Sequence, residues 1–145
     1  TGPTGPGVIG GLEIQLQSTG GLTIANNDPI IFDTIVSNFS SNISYDTTTG
    51  EITVTASGLY YINWWLAIDG STVEPTISYT ITTSSGDNIT SSSPILSDNM
   101  SGNALLNITA SIGTPVTISL INTTGNDTFI GLTTVRADLV IIQLN

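Results

Sequence analysis

The first seven residues contain two glycine-led triplets, Gly2-Pro3-Thr4 and Gly5-Pro6-Gly7, and strand-like alternation begins within five residues of them. Glycine at every third position is the requirement of a collagen triple helix, because only hydrogen fits where three chains meet on the axis. Such triplets serve no purpose in a single chain, so the fragment points to three. The period breaks at Val8, where glycine is due. Residues 1–7 therefore read as the end of a Gly-X-Y stalk and residues 8–145 as a globular head. A glycine- and proline-rich linker is the other reading of so short a run. The sequence opens at Thr1 with no leader-like stretch, which reads as a piece of a longer chain with its targeting information upstream.

Composition removes most chemistries. The 145 residues suit one domain with a real core. With no Cys there is neither a disulfide framework nor a thiolate metal site. His is absent, and the single Lys/Arg residue is Arg136. That excludes Ser-His-Asp and Cys-His catalysis, His-ligated zinc and Schiff-base chemistry. A net charge of -10 repels phosphate backbones and anionic lipid, so neither nucleic acid nor membrane is expected as a partner. The apolar runs are also too short for a membrane span. Abundant Ser and Thr with few charges suit a coat, wall or secreted protein.

The periodicity is that of an all-β chain. Leu12, Ile14 and Leu16 alternate with Glu13, Gln15 and Gln17, and Ile52, Val54 and Ala56 with Glu51, Thr53 and Thr55. Ile77, Tyr79 and Ile81 repeat the pattern, as do Val116, Ile118 and Leu120. Turn clusters such as Asn26-Asn27-Asp28-Pro29, Asp69-Gly70-Ser71 and Gly125-Asn126-Asp127 separate the segments. Many short strands so punctuated imply a sandwich or jelly roll.

Three segments break the polar-outward rule. From Leu59 to Ile68 one face carries Tyr60, Ile62, Trp64 and Leu66, and the other Leu59, Tyr61 and Trp65. Leu139 to Leu144 is apolar on both faces, and Ala104 to Ile112 is apolar apart from Asn107 and Thr109. A sandwich strand needs one buried face, so the second must meet a helix or another subunit. No helical periodicity is present, and oligomerisation is the better account.

A family resemblance rests on the central run. Tyr45-Asp46, then Gly50-Glu51-Ile52-Thr53-Val54, then Gly58-Leu59-Tyr60-Tyr61-Ile62 resemble the Tyr-Asp, Gly-aromatic-Thr and Gly-x-Tyr-x-Phe signature of complement-type globular heads, with Ile52 and Ile62 in place of Phe. Ser101 to Leu106, Gly113-Thr114-Pro115-Val116 and Phe129-Ile130-Gly131 resemble later segments of the same family, over residues 30 to 144. The low charge and the Gly-Pro-Thr stalk resemble bacterial members most, the BclA-type collagen-like glycoproteins of the exosporium, the outer coat of spores.

The resemblance implies a ten-stranded antiparallel jelly roll shared with tumour-necrosis-factor cytokines, assembled as a homotrimer on a collagen stalk. It implies a structural role: aligning three chains, capping the triple helix and presenting a bacterial spore surface, with no enzyme activity and no cofactor. The competing reading is an adhesin or phage-fibre-like tip that binds a host receptor or glycan. The resemblance places the Leu59 to Ile68 strand in the inner sheet, where the Gly-x-Tyr-x-Ile parity assigns Tyr60, Ile62, Trp64 and Leu66 to the core and Tyr61 and Trp65 to the trimer interface; Leu139 and Ile141 are expected in that interface too. Thr1 and Thr4 are the candidate O-glycan carriers, by likeness to stalk threonines of the family.

The remaining motifs are read conservatively. Seven Asn-x-Ser/Thr sequons, at Asn38, Asn42, Asn88, Asn99, Asn107, Asn122 and Asn126, reflect the abundance of Ser and Thr. Asp28, Asp33, Asp69, Asp87, Asp98 and Asp127 are expected as turn residues, since no Asp-x-Asp-x-Asp-Gly calcium loop is present and no metal is expected. A glycosidase needs two carboxylates facing one cleft. Glu13, Glu51 and Glu74 are scattered, with Glu13 and Glu51 outward on strands. Arg136 is expected to pair with Asp138 or with a neighbouring subunit's carboxylate.

Overall fold

The structure is a computed structural model that describes residues 9–72, 76–94 and 97–145. The stalk residues 1–7, with the candidate glycan carriers Thr1 and Thr4, lie outside the described residues, as does Glu74.

Among the described residues there are twelve strands in two antiparallel sheets and no helix. The large sheet contains β1 (Gly10–Leu16), β2 (Leu22–Ile24), β3 (Thr34–Asn38), β6 (Gly58–Ser71), β9 (Ser97–Ile108), β11 (Thr128–Ile130) and β12 (Ala137–Gln143). The small sheet contains β4 (Ile43–Tyr45), β5 (Ile52–Val54), β7 (Ile77–Thr83), β8 (Asn88–Ser93) and β10 (Val116–Asn122). This is the expected jelly-roll sandwich. The strand count exceeds ten because several strands are short, with β2, β4, β5 and β11 only three residues each.

Strand β6 organises the large sheet. Along one edge it pairs with β9 from Gly58↔Ile108 to Asp69↔Ser97. Along the other it pairs with β12 from Tyr60↔Gln143 to Leu66↔Ala137, then with β11. The order continues through β1 to β3. Alternation then decides what each strand buries. Tyr60, Ile62, Trp64, Leu66 and Ile68 face the small sheet and are buried, together with Leu12, Ile14 and Leu16 of β1 and Met100, Ala104, Leu106 and Ile108 of β9. Ile77, Tyr79, Ile81, Val116, Ile118 and Leu120 meet them from the small sheet.

Trp64 spans the gap between the layers. Its ring lies 6.3 Å from that of Tyr79, tilted by 57°. Its cross-strand partner is Gly102, where a Cβ would fall 2.5 Å from Trp64 Cζ2, so glycine leaves the room the indole occupies. Polar groups inside are tied down. Asn122 donates to the carbonyls of Ile24 and Asn126 at 2.9 Å each and accepts from Thr124 N, while the Tyr79 and Thr128 hydroxyls bond to each other. Burial pushes the Tyr79 phenol up to about 12, partly offset by the Thr128 hydroxyl. No buried side-chain N or O among the described residues lacks a partner.

The turn clusters sit where the sequence places them. Asn27 takes a positive φ of 71° in the turn after β2, and the Asp28 amide donates to Ala25 O. Gly50 is required by a close approach, since at φ 77° a Cβ would stand 2.9 Å from Ile30 O.

Candidate interaction face

Among the described residues, the side of the large sheet that turns away from the core is an extended surface that no other element of the chain covers. The register reads it out in rows. Leu105, Tyr61, Ile142 and Gly11 lie in one row across β9, β6, β12 and β1. The next row is Asn103, Asn63, Val140, Glu13 and Ser37, and the one after it Ser101, Trp65, Asp138 and Gln15. Leu105 is 60% exposed, whereas Tyr61, Trp65, Val140 and Ile142 are half-buried by their own neighbours.

At the β1 edge the missing side chain of Gly11 leaves a depression of about 340 Å³. Val140, Ile142, Ile9 and Phe39 line it, and Phe39 is 80% exposed. The Phe39 amide donates to Gly11 O at 2.8 Å, which fixes that loop over the sheet edge. Ile9, the first described residue, enters beside this depression, its amide on Gln143 O at 2.9 Å. The row from Leu105 through Tyr61 and Ile142 thus ends at a depression that Ile9 and Phe39 also line.

Two interface assignments need correction. Leu139 and Ile141 are 1% and 0% exposed and belong to the core of the single chain. The pairings Leu139↔Trp64 and Ile141↔Ile62 put them on the inward face, because directly paired residues project to the same side of a sheet. Val140 and Ile142 are the outward members of β12. Tyr61 and Trp65 lie on the outward face, and Tyr60, Ile62, Trp64 and Leu66 on the inward one. Sequence reasoning missed Val140, Ile142, Leu105, Gly11 and Phe39 as members of one face. β12 is apolar on both sides, so its parity is decided only by its register with β6.

The expectation for Arg136 is also corrected. The guanidinium is buried and bonds no carboxylate among the described residues. Nε donates to Gly131 O at 2.9 Å, NH1 to Ser18 O at 3.0 Å and NH2 to Ile130 O at 3.1 Å. Those carbonyls come from the loop after β1, the last residue of β11 and the residue that follows it, so the only cation in the chain clamps the end of the sandwich opposite Ile9 and Asn145.

Carboxylates elsewhere are held in local turns. Asp33 accepts from Gln17 N, Ser18 N and Thr34 Oγ1. Burial raises its carboxyl, but these bonds outweigh it and hold the group below its ordinary value. Asp87 accepts from the Thr83 and Ser85 hydroxyls. Asp69 and Asp98 line one depression at the Arg136 end, without a third carboxylate. Among the described residues no group of three or more His, Cys, Asp or Glu could hold a metal, and no helix is long and apolar enough to cross a membrane. Among the sequons, Asn122 is fully buried and structural, whereas Asn38, Asn88, Asn99 and Asn107 are exposed.

This architecture has solved counterparts. The globular domain of a zebrafish complement 1qA protein superposes with a TM-score of 0.64 at 15% identity, over 92% of this chain and 93% of that one. PRD1 vertex protein P5 gives 0.67 at 21% identity, over 96% and 99%. Murine APRIL gives 0.67 at 10% identity, over 93% and 98%. The chain therefore has the jelly roll of complement heads and tumour-necrosis-factor-like proteins. No protein-family model and no curated protein matches the sequence.

Proposed function

We propose that this chain is the trimeric head of a collagen-like filament on a bacterial spore surface, where it aligns three chains, caps their triple helix and presents the outermost layer. The observation that carries this reading is the apolar row of Leu105, Tyr61 and Ile142 on the outward face of the large sheet, which ends at the depression beside Ile9. A further copy would bury it, since within one chain the two sheets cover only each other's inner faces and the outward positions of the small sheet, such as Ser78, Thr82, Thr117 and Ser119, are polar. Closed three-fold symmetry then needs two different patches of one chain to meet, and the projecting Leu105 and the Gly11 depression lie at opposite ends of one row. The Gly-Pro triplets upstream supply an independent demand for three chains. Triple-helix nucleation is entropically costly, because three strands must be aligned before any rung forms, and a trimeric head removes that cost. The role is structural and displays surface.

Sedimentation equilibrium tests the assembly. The expected mass is three times the 15.0 kDa chain, about 45 kDa, across a wide concentration range. A monomer at micromolar concentration refutes the filament-head reading. A glycan array on the same preparation separates a display role from an adhesin tip.

A further inference from the structure

We infer that Glu13 and Asp138 form a proton-sharing lock in the assembly face, so that the head trimerises more tightly as pH falls; this regulation rests on the trimeric reading above. The two carboxylates stand on neighbouring strands of one face. Gln15 pairs with Asp138 and Glu13 with Val140, which makes Glu13 and Asp138 diagonal neighbours. Gln15 Nε2 donates to Asp138 Oδ2 at 2.9 Å and holds it in place. Asp138 is only 8% exposed in the single chain, before any partner covers it.

Two ionised carboxylates in such a setting repel, and one proton between them converts the repulsion into a hydrogen bond. A neighbouring cation would relieve the conflict in most proteins. Here Arg136, at the head of β12, is the only candidate, and its three nitrogens are engaged by the carbonyls of Gly131, Ser18 and Ile130. The other groups around the pair offer no charge. On β6 the outward residues are Tyr61, Asn63 and Trp65, none of them a carboxylate or a cation. β3 presents Ser37 and Thr34, and β1 itself adds only Gln15. The Glu13 carboxyl accordingly lies above its ordinary value, through its hydrogen bond with Asp138 first, then burial, then the Asp138 charge.

Covering this face with another copy removes water from the pair and disfavours the charged form further. A carboxyl raised in this way binds its proton more tightly in the assembly than in the dispersed chain, so assembly takes up protons. The stabilisation is complete below the already raised value of Glu13 in the dispersed chain and is lost as pH rises through the still higher one in the assembly. General repulsion between chains of net charge -10 acts in the same direction. That contribution is screened by salt and does not depend on which carboxylate is removed.

The test measures trimer dissociation by sedimentation equilibrium between about pH 4.5 and 7.5, in salt that shortens the Debye length to about 3 Å. It compares the parent chain with Glu13→Gln, Asp138→Asn and Glu51→Gln, the last removing an equal charge beside the small sheet. Glu13→Gln mimics the protonated pair and is expected to abolish most of the pH dependence. At the upper pH it should tighten assembly about tenfold per protomer for each pH unit by which assembly raises the group. Asp138→Asn should act alike, and Glu51→Gln should keep the parent slope. Circular dichroism confirms folding, and either of the first two variants alone suffices. Equal slopes in the Glu13 and Glu51 variants overturn the lock while leaving the trimer intact. Monomers at every pH in every variant overturn the trimeric reading and the lock with it.

Discussion

Replacing Trp64 with Ala should cost the fold about 4 kcal/mol. The side chain is 1% exposed, its ring lies 6.3 Å from Tyr79, and the space opposite is held open by Gly102. An indole buries on the order of 150–250 Å². At ~25 cal/mol/Å² that corresponds to roughly 4–6 kcal/mol as an upper limit. Truncations of this kind cost about 3–5 kcal/mol when the surroundings relax only in part. Relaxation here is restricted, because β6 is hydrogen-bonded along both edges to β9 and β12 and cannot settle into the gap. Set against a typical total stability of about 5–15 kcal/mol, the loss leaves a marginal domain. Urea unfolding followed by circular dichroism, at fixed protein concentration because assembly makes stability concentration-dependent, should show a lower midpoint with an unchanged slope. A loss below about 1 kcal/mol would refute the argument, since it would mean that the inward row of β6 does not carry the sandwich.

Ile142→Asp places a charge in the centre of the outward row and should give a folded monomer; light scattering that still reports a trimer would move the interface elsewhere. Arg136→Met leaves the carbonyls of Ser18, Ile130 and Gly131 without their donor and should cost at least about 3 kcal/mol in thermal or urea unfolding, at roughly 1 kcal/mol or more for each. Tyr79 predicts the alkaline limit. Its phenol is pushed up to about 12 by burial, so its contribution is intact below the ordinary value of 10.0 and is lost as pH rises from there through about 12. Tyrosinate absorbance should appear together with unfolding, and Tyr79→Phe should delay that unfolding. Excess EDTA should leave the melting temperature unchanged, and a fall of several degrees would place a structural cation in the head.

Much of the fold was legible in the residues because a half-buried strand writes its environment in period two. Leu12, Ile14 and Leu16, or Ile77, Tyr79 and Ile81, name their inward face without reference to any partner, and the Asn, Asp and Gly clusters between segments mark the turns. The two-sided segments also announced, from sequence alone, that one sandwich does not use all of its apolar surface. Which side of such a segment is inside was another matter. In β6 the Gly-x-Tyr parity was available, but β12 alternates Leu139 and Ile141 with Val140 and Ile142, residues of nearly equal hydrophobicity. Only the pairing with Trp64 and Ile62 turns the first pair inward and leaves Val140 and Ile142 on the surface. The site itself is non-local in the same way. Leu105, Tyr61, Ile142 and Gly11 are far apart in the chain and become neighbours through cross-strand register. Arg136 lies two residues from Asp138, yet it turns to three carbonyls that converge only when the loop after β1 meets the end of β11 at one end of the sandwich. Periodicity records whether a residue faces inward where neighbouring residues contrast; which distant residues share a face is set by strand pairing, and that belongs to the tertiary structure.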